Sequence, residues 1–140
     1  MDYQHEKCVM VIDESLPLGI AANAAAILGI TLGKQVPEAV GADVWDGSGR
    51  PHLGIIAFPV PILRGGAETI RALRETLYGP DYAGLTVVDF SDLAQSCKAY
   101  EEFTGKLEAV PEADLRYLGL AICGDKKQIN KLTGSMPLLR

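Results

Sequence analysis

The segment from Tyr117 to Leu139, YLGLAICGDKKQINKLTGSMPLL, carries the strongest structural signal in the chain. It begins with an apolar run, which predicts a buried strand. Asp125 then follows a glycine and has Gln128 three positions later, a spacing typical of a helix N-terminus, and Gly134 marks the end of that helix. The segment therefore predicts a strand, a tight turn and a short helix in direct succession.

The same succession of strand and helix occurs twice earlier in the chain. The β-branched run KCVMVI, Lys7–Ile12, precedes an apolar helical stretch at Leu16–Leu32. The run GLTVVDF, Gly84–Phe90, precedes SDLAQSCKAYEEF, which we expect to form one helix because Asp92 and Gln95 have capping-box spacing. Strands that alternate with helices predict an α/β fold.

The middle of the chain adds a turn and a second helix. In VGADVWDGSGRPHLGIIAFPVPIL, Val40–Leu63, the pair Asp46-Gly47 lies between two apolar stretches and predicts a hairpin or a tight loop. Pro59 and Pro61 place the end of this segment at a sheet edge, because proline has no N–H to donate. The following GGAETIRALRETLYGP has helical spacing of its apolar residues and stops at Gly-Pro.

Size and charge narrow the class of protein. With 140 residues, of which 48% are hydrophobic, the chain can bury one core, so we expect a single domain over residues 1–140. We expect three layers, with helices on both faces of a mixed sheet of about four main strands. The formal charge of −5 and the lack of a basic stripe argue against a nucleic-acid partner.

The three cysteines indicate a reduced, cytoplasmic protein. Cys8, Cys97 and Cys123 are odd in number, far apart and without C-x-x-C spacing. Cys8 and Cys123 lie in apolar runs and are expected to be small core residues. Cys97 follows a serine in a more polar setting, so it is either a reactive thiol or an ordinary helical cysteine.

The apolar stretch Leu16–Leu32 is not expected to enter a membrane. It is short for a bilayer, it contains Pro17 and Asn23, and the residues before it are acidic rather than basic. We expect a central helix buried on all sides, with Pro17 in its first turn and Gly33 at its end.

Three polar residues in these segments are candidates for a ligand site. Asp13 ends the first predicted strand, where ligands gather in open α/β sheets. Asn23 is a polar side chain in an apolar helix, where it either binds a ligand or bridges backbone groups. His52 follows a glycine-rich turn and is either a general base or a solvated loop residue.

Several of these segments resemble type II peptidyl-tRNA hydrolases. The segment Tyr117–Leu139 resembles the end of that family, Ile20-Ala21-Ala22 resembles the opening of its first helix, and GLTVVDFSDLAQS resembles its glycine-leucine strand. The resemblance implies site roles for Asp92 and Ser96, which match an aspartate and, four positions on, a threonine. Asp92 is also in a position to act as an ordinary helix cap.

The family's essential lysine has no counterpart here. That lysine lies in the turn before the first helix, which in this chain reads SLPLGIAAN, and no lysine or arginine occurs between Lys7 and Lys34. A charge-assisted contact to substrate is therefore missing from this turn. A nearer resemblance is to the uncharacterised family called domain of unknown function two thousand, with stretches matching Leu16–Asn23 and Asp46–His52.

Three functional hypotheses follow. The first is a small-ligand or diverged hydrolase site formed by Asp13, Asn23, His52 and Asp92, with Ser96 as a further candidate for catalysis. The second is a peptidyl-tRNA hydrolase that works without the lysine, and the third is a non-catalytic interaction module. Whether the protein is an enzyme stays open. The family resemblance implies a homodimer, and no residue pattern calls for a metal or a cofactor.

Overall fold

The computed structural model describes residues 2–140, whose helices and strands alternate along the chain. In order they are β1 (Glu6–Asp13), α1 (Leu18–Gln35), β2 (Val44–Trp45), β3 (Pro51–His52), β4 (Ile62–Gly65), α2 (Ala67–Leu77), β5 (Thr86–Ser91), α3 (Asp92–Gln95), α4 (Tyr100–Glu108), β6 (Tyr117–Asp125) and α5 (Lys126–Thr133). Short 3₁₀ turns occupy Pro37–Ala39, Pro80–Tyr82 and Glu112–Asp114.

Four of the strands form one mixed sheet in the order β4-β1-β6-β5. β1 is parallel to β4 and antiparallel to β6, and β6 is antiparallel to β5. β1, β4 and β5 therefore point the same way, and their ends lie beside the beginning of β6. We call this end of the sheet the strand-end side. The expected α/β fold with a mixed sheet of four main strands is confirmed.

The core has two halves, one on each face of the sheet. On one face, α1 packs on alternate residues of β1 and β5, which include Met10, Ile12 and Phe90. On the other face, α2 and α5 pack on strand residues that point the opposite way, such as Val11 of β1 and Leu120 of β6. The alternation follows from the pleat, which sends successive side chains of a strand to opposite faces.

Only one side of α1 is buried, so the predicted burial on all sides is wrong. Ala21, Ala24, Leu28 and Leu32 form the buried side, whereas Leu18 and Ile30 are 87% and 76% exposed. Two of these four buried residues are alanines, and the sheet has a glycine at position 119 beneath the helix. A Cβ at Gly119 would lie 2.8 Å from Cδ1 of Ile12 and 3.1 Å from Cδ1 of Leu28. Glycine at this position therefore lets α1 approach the sheet closely.

The predicted turn at Asp46-Gly47 is the tip of a short hairpin. β2 and β3 pair antiparallel, with Val44 opposite His52, and Gly49 in the loop has a φ of +79°, which favours glycine. Every residue from 42 to 53 is exposed. The main-sheet strand of this region, β4, begins only after Pro59 and Pro61 and lies at the edge of the sheet, as the prolines predict.

The helix predicted from Asp92 onward is broken into α3 and α4. Ser91, rather than Asp92, is the N-cap of α3, and its Oγ accepts from the N–H of Ala94. At the other end, Ser96 donates its hydroxyl to the carbonyl of Leu93 at 2.7 Å. Serine hydroxyls compete with helical hydrogen bonding in this way. The single continuous helix predicted from the sequence is therefore wrong.

Cys8 and Cys123 form a disulfide, which corrects the prediction of reduced thiols. The two residues are direct partners in the antiparallel register of β1 and β6, with their Cα atoms 4.1 Å apart. Such a short spacing is typical of the closer kind of antiparallel pair. Both are core residues, as predicted, and Cys97 is the free cysteine.

Candidate functional site

Polar side chains gather on the strand-end side because three helices begin there. α1 follows β1 after a short turn, α2 follows β4, and α3 follows β5 directly. Helix starts and strand ends meet at one end of an open α/β sheet, which is where such folds place their ligands. The residues at these junctions, and those just before β6, form the candidate site.

Asp13 is the buried acid of this site. Only 1% of its surface is exposed, although it is charged at neutral pH. Its Oδ1 accepts from the N–H and the hydroxyl of Ser15, at 2.9 and 2.7 Å. Its Oδ2 accepts from Nη2 of Arg116 at 2.8 Å. The carboxylate is thus fully engaged, as a buried charge requires.

The ion pair sets the protonation of both partners. Burial raises the pKa of the Asp13 carboxyl, but hydrogen bonds from Arg116 and Ser15 outweigh it and hold that pKa below its usual value. The hydrogen bond to Asp13 raises the pKa of the Arg116 guanidinium. Both groups are therefore charged throughout the physiological range.

Asp92 is joined to the same arginine through the backbone. Its N–H donates to the carbonyl of Arg116 at 2.9 Å, and its Oδ1 accepts from the N–H of Arg116 at 3.3 Å. Oδ1 also accepts from the N–H of Leu93 at 2.8 Å. Within residues 2–140, Oδ2 has no hydrogen-bond partner. We call Asp13, Ser15, Asp92 and Arg116 the strand-end cluster.

A second ion pair lies next to this cluster. Arg64 on β4 and Glu14, which follows β1, approach to 3.5 Å between Nη1 and Oε2. The N–H of Glu14 also donates to the carbonyl of Gly65 at 3.0 Å. Both side chains are nearly half exposed, so the strand-end side carries a second, solvent-accessible ion pair.

The remaining predicted site residues have other surroundings. Asn23 is exposed on α1, and its side chain makes no hydrogen bond within residues 2–140, so its predicted burial is wrong. Ser96 is exposed, and its hydroxyl is bound to the Leu93 carbonyl. The structure thus brings Asp13 and Asp92 together through Arg116. The backbone N–H of Ser96 donates to the carbonyl of Asp92 at 3.1 Å, but neither the Ser96 hydroxyl nor the Asn23 amide makes a hydrogen bond to Asp13 or Asp92 within residues 2–140.

His52 lies on the β2–β3 hairpin and is paired with Asp46. Nε2 of His52 is 2.8 Å from Oδ2 of Asp46. This hydrogen bond, followed by those from the N–H groups of Arg50 and Ser48, lowers the pKa of Asp46. Both side chains are exposed, at 58% and 37%.

The root of that hairpin is at the end of the sheet opposite the strand-end side. α1 runs back from the strand-end side, so that Gln35 at its end lines the same pocket as Glu6 at the start of β1. The hairpin is anchored just beyond this point, where Gly41 donates to the carbonyl of Ile55. The hairpin that carries His52 is therefore rooted at the other end of the sheet from Asp13, and within residues 2–140 the hydrogen bond of the His52 side chain is to Asp46.

Arg116 is the member of the cluster that the sequence reasoning missed. It lies near the start of the segment Leu115–Cys123, which the sequence predicts as a strand, with no motif around it, and it is 103 positions from Asp13. The available signal was topological. A residue just before a strand antiparallel to β1 must lie beside the end of β1.

Two further properties bear on the class of site. Within residues 2–140, no three His, Cys, Asp or Glu side chains lie close enough together to hold a metal ion. In the same range, no helix has both the length and the apolar character needed to cross a bilayer.

Comparison with known proteins gives a family and a fold. The family described as "Protein of unknown function (DUF2000)" matches residues 6–140. A solved structure of the protein of unknown function Atu0240 from Agrobacterium tumefaciens strain C58 superposes with a TM-score of 0.86 at 17% identity. The match covers 96% of this chain and 97% of that one. No curated protein matches the chain. At this identity the likeness to the solved structure is one of fold.

Proposed function

We propose, for a chain that belongs to the DUF2000 family of proteins of unknown function, that it binds a small anionic ligand at the strand-end cluster. The ligand class is a compact molecule with a carboxylate or phosphate group. The observation that carries this proposal is the state of Arg116. Its guanidinium is half exposed, and only Nη2 is engaged, with Asp13 and Ser15.

The engaged nitrogen holds the rest of the group in place. Asp13 is buried, and its carboxylate is held by hydrogen bonds from Ser15. Its ion pair with Arg116 therefore fixes the orientation of the guanidinium from the interior side. Nε and Nη1 of Arg116 make no hydrogen bond to residues 2–140, and they are available to a ligand. A planar guanidinium with free N–H groups matches the oxygens of a carboxylate or phosphate.

A diverged hydrolase is the second candidate, and the free Oδ2 of Asp92 favours it. In this proposal the fold is the type II peptidyl-tRNA hydrolase-like one, and Arg116, just before β6, supplies the cation that the turn at Leu16–Asn23 lacks. Asp92 would take a proton from water as the water oxygen attacks the carbonyl carbon of an amide or ester, whose oxygen Arg116 holds. Asp92 would then return the proton to the amine or alcohol that departs as its bond to the carbonyl carbon breaks. This step does not use Ser96 or His52. The hydroxyl of Ser96 is bound to the carbonyl of Leu93, and His52 is paired with Asp46.

The binding proposal is tested by titration with inorganic phosphate and a panel of small carboxylates. Isothermal calorimetry and thermal shift measure binding to the native chain. The test variant is the pair Asp13→Asn with Arg116→Gln, which removes the free guanidinium without leaving a buried charge unpaired. Arg64→Gln is the matched control, because it removes one exposed arginine and leaves the cluster intact. The proposal requires binding that the double variant abolishes and the control retains.

Two results would contradict the proposal. If no ligand of the panel binds the native chain, the anionic site does not exist. If the double variant binds as tightly as the native chain, the ligand is held elsewhere. Hydrolysis is tested separately, with amide and ester derivatives of any acid that binds, and Asp92→Asn is the variant that must lose turnover while it keeps binding.

The exposed apolar surface supports a homodimer as a further part of the proposal. Val44, Trp45, Leu53 and Ile55 on or beside the hairpin are 58–83% exposed, as is Ile30 on α1 at 76%. Large exposed apolar patches mark interaction surfaces in small proteins. Light scattering coupled to size exclusion tests this directly. A dimer that Trp45→Ser weakens is the expected result, and a monomer at micromolar concentration would remove the dimer.

A further inference from the structure

Helix α4 has an apolar side that the core does not cover. Tyr100, Phe103 and Leu107 have the i, i+3, i+7 spacing of one helix face. Yet no residue of α4 is buried, and Tyr100 is 74% exposed. An amphipathic helix in a small domain normally buries such a face against its neighbours. The apolar face of α4 is therefore incompletely packed.

An open cavity lies beside this helix. Its volume is about 360 Å³, and α1, β5, α3 and α4 each supply part of its wall. Apolar side chains form most of that wall, namely Ile27, Val88, Phe90, Ala94, Tyr100 and Phe103. The two aromatic rings of α4 are stacked at a tilt, with their centroids 5.6 Å apart. A cavity of this size and lining is typical of sites for small organic molecules.

Few polar groups line the cavity, and they differ in whether they are engaged. Asp89 is already paired with Arg74 at 2.9 Å, so it is not a free acceptor. The ammonium group of Lys98 has no acceptor within residues 2–140, and it is the one cation of the wall. An anionic group on a ligand would form an ion pair with this ammonium group. The chemistry of the wall thus favours a molecule with an apolar body and one negative group.

We propose that this cavity binds a small, mainly aromatic or aliphatic molecule that carries a single anionic group, with α4 against its body and Lys98 at its charged end. The site is separate from the strand-end cluster. α3 lies between the two sites. Asp92 at the start of α3 contacts the backbone of Arg116, whereas Ala94 in α3 and Cys97 after it line the cavity. The inference does not depend on the proposed function.

Cys97 provides a reporter within the wall. It is half-buried, its thiol lies 3.2 Å from the carbonyl of Leu93, and it is the free cysteine of the chain. The probe is 8-anilinonaphthalene-1-sulfonate, which has an aromatic body and one sulfonate. At about ten times its Kd, alkylation of Cys97 by a maleimide should slow about tenfold, because only about a tenth of the sites are free.

Two variants and one matched control localise the binding. Ala94→Phe should fill the cavity and abolish protection of Cys97, whereas Ala72→Phe, on an exposed position of α2 across the sheet, should leave it unchanged. Lys98→Gln should weaken binding of the sulfonate but not of the uncharged N-phenyl-1-naphthylamine. Because Lys98 is exposed, this variant tests the proposal even if Ala94→Phe does not fold.

Three outcomes would overturn the proposal. The first is probe fluorescence without protection of Cys97, which places the probe on another apolar surface. The second is equal weakening of both probes by Lys98→Gln, or of neither, which removes the anionic recognition. The third is protection of Cys97 that grows with protein concentration and needs no probe, because a second copy of the chain then covers the cavity.

Discussion

The carboxylate of Asp13 and the guanidinium of Arg116, which are 103 positions apart in the chain, are joined by a 2.8 Å hydrogen bond at the strand-end side of the sheet. Asp13 is 1% exposed at its side chain and Arg116 is 50% exposed. The acid of the pair is therefore in the protein interior, and the cation is partly exposed to solvent. This difference in exposure between the two partners determines how the fold and the candidate site respond to pH and to substitution.

Acid should destabilise the fold through Asp13. Its pKa is lower in the folded chain than in the unfolded one, so its contribution to stability is present above the unfolded pKa of about 4 and is lost as pH falls through the folded value. Urea unfolding at a series of pH values from about 2.5 to 6 measures this contribution. Arg116→Gln should flatten the dependence in the acid range. An unchanged profile in that variant would show that Arg116 does not lower the pKa of Asp13.

Removal of Arg116 alone should cost more than removal of the pair. Arg116→Gln leaves the buried Asp13 carboxylate without its cation, and we expect a loss of about 1–3 kcal/mol in the free energy of unfolding. Asp13→Asn combined with Arg116→Gln should lose less, because no buried charge is left unpaired. Denaturant unfolding of the two single variants and the double variant forms a double-mutant cycle. Strict additivity would mean that the pair is not coupled.

The strands of the main sheet were predictable because their signals are local. β1, β5 and β6 are apolar runs bounded by charged or glycine residues, and Asp125 and Gln128 form the predicted cap of α5, with the Asp125 side chain accepting from the N–H of Gln128. Each of these patterns depends on residues a few positions apart. Local pattern was therefore enough to give the α/β class and these three strands, but not β4 as a separate strand or the break between α3 and α4.

The candidate site was only half predictable, because its members are distant in sequence. Asp13 and Asp92 could be proposed from their places after strands, whereas Arg116 has no motif and depends on the antiparallel pairing of β6. Asn23 illustrates the opposite error. Its apolar neighbours suggested burial, but α1 has only one buried side, and Asn23 is on the other. A helix rich in alanine gives little indication of which side faces the core.

The cysteine pairing was missed for a related reason. Register, rather than spacing along the chain, places Cys8 opposite Cys123, and register is set by the tertiary fold. The expectation of a cytoplasmic location was derived from reduced thiols, and the disulfide removes that line of reasoning.

Reduction of the disulfide should lower stability without disrupting the sheet. The bond closes a loop with a sequence separation of 115 residues, for which the chain-entropy model gives about 4–5 kcal/mol. The strands it joins remain paired by their backbone hydrogen bonds. Denaturant unfolding with and without a dithiol measures the difference, and the Cys8→Ala, Cys123→Ala double variant should match the reduced chain. No difference between the oxidised and reduced chains would contradict the cross-link.

Thiol labelling should separate the three cysteines. In the native oxidised chain a maleimide should modify Cys97 alone, because Cys8 and Cys123 are bonded to each other and buried. After denaturation, two further sites should appear only if a reductant is added. Mass spectrometry counts the modified residues in each state. Labelling of all three in the native chain without reductant would show that the pair is not formed.

Peptidyl-tRNA should be a poor substrate for this chain. The turn from Ser15 to Asn23 contains no lysine or arginine, and the formal charge of −5 opposes binding of a phosphate backbone. Arg116 does not offset this, because one half-exposed guanidinium paired with Asp13 does not neutralise the many phosphates of a tRNA. We therefore expect cleavage well below that of a genuine type II peptidyl-tRNA hydrolase assayed beside it. Release of the peptide from a labelled peptidyl-tRNA at low salt measures this under the conditions most favourable to binding. Turnover comparable to the genuine enzyme, and its loss in Arg116→Gln, would show that Arg116 replaces the missing lysine as the cation of a working hydrolase.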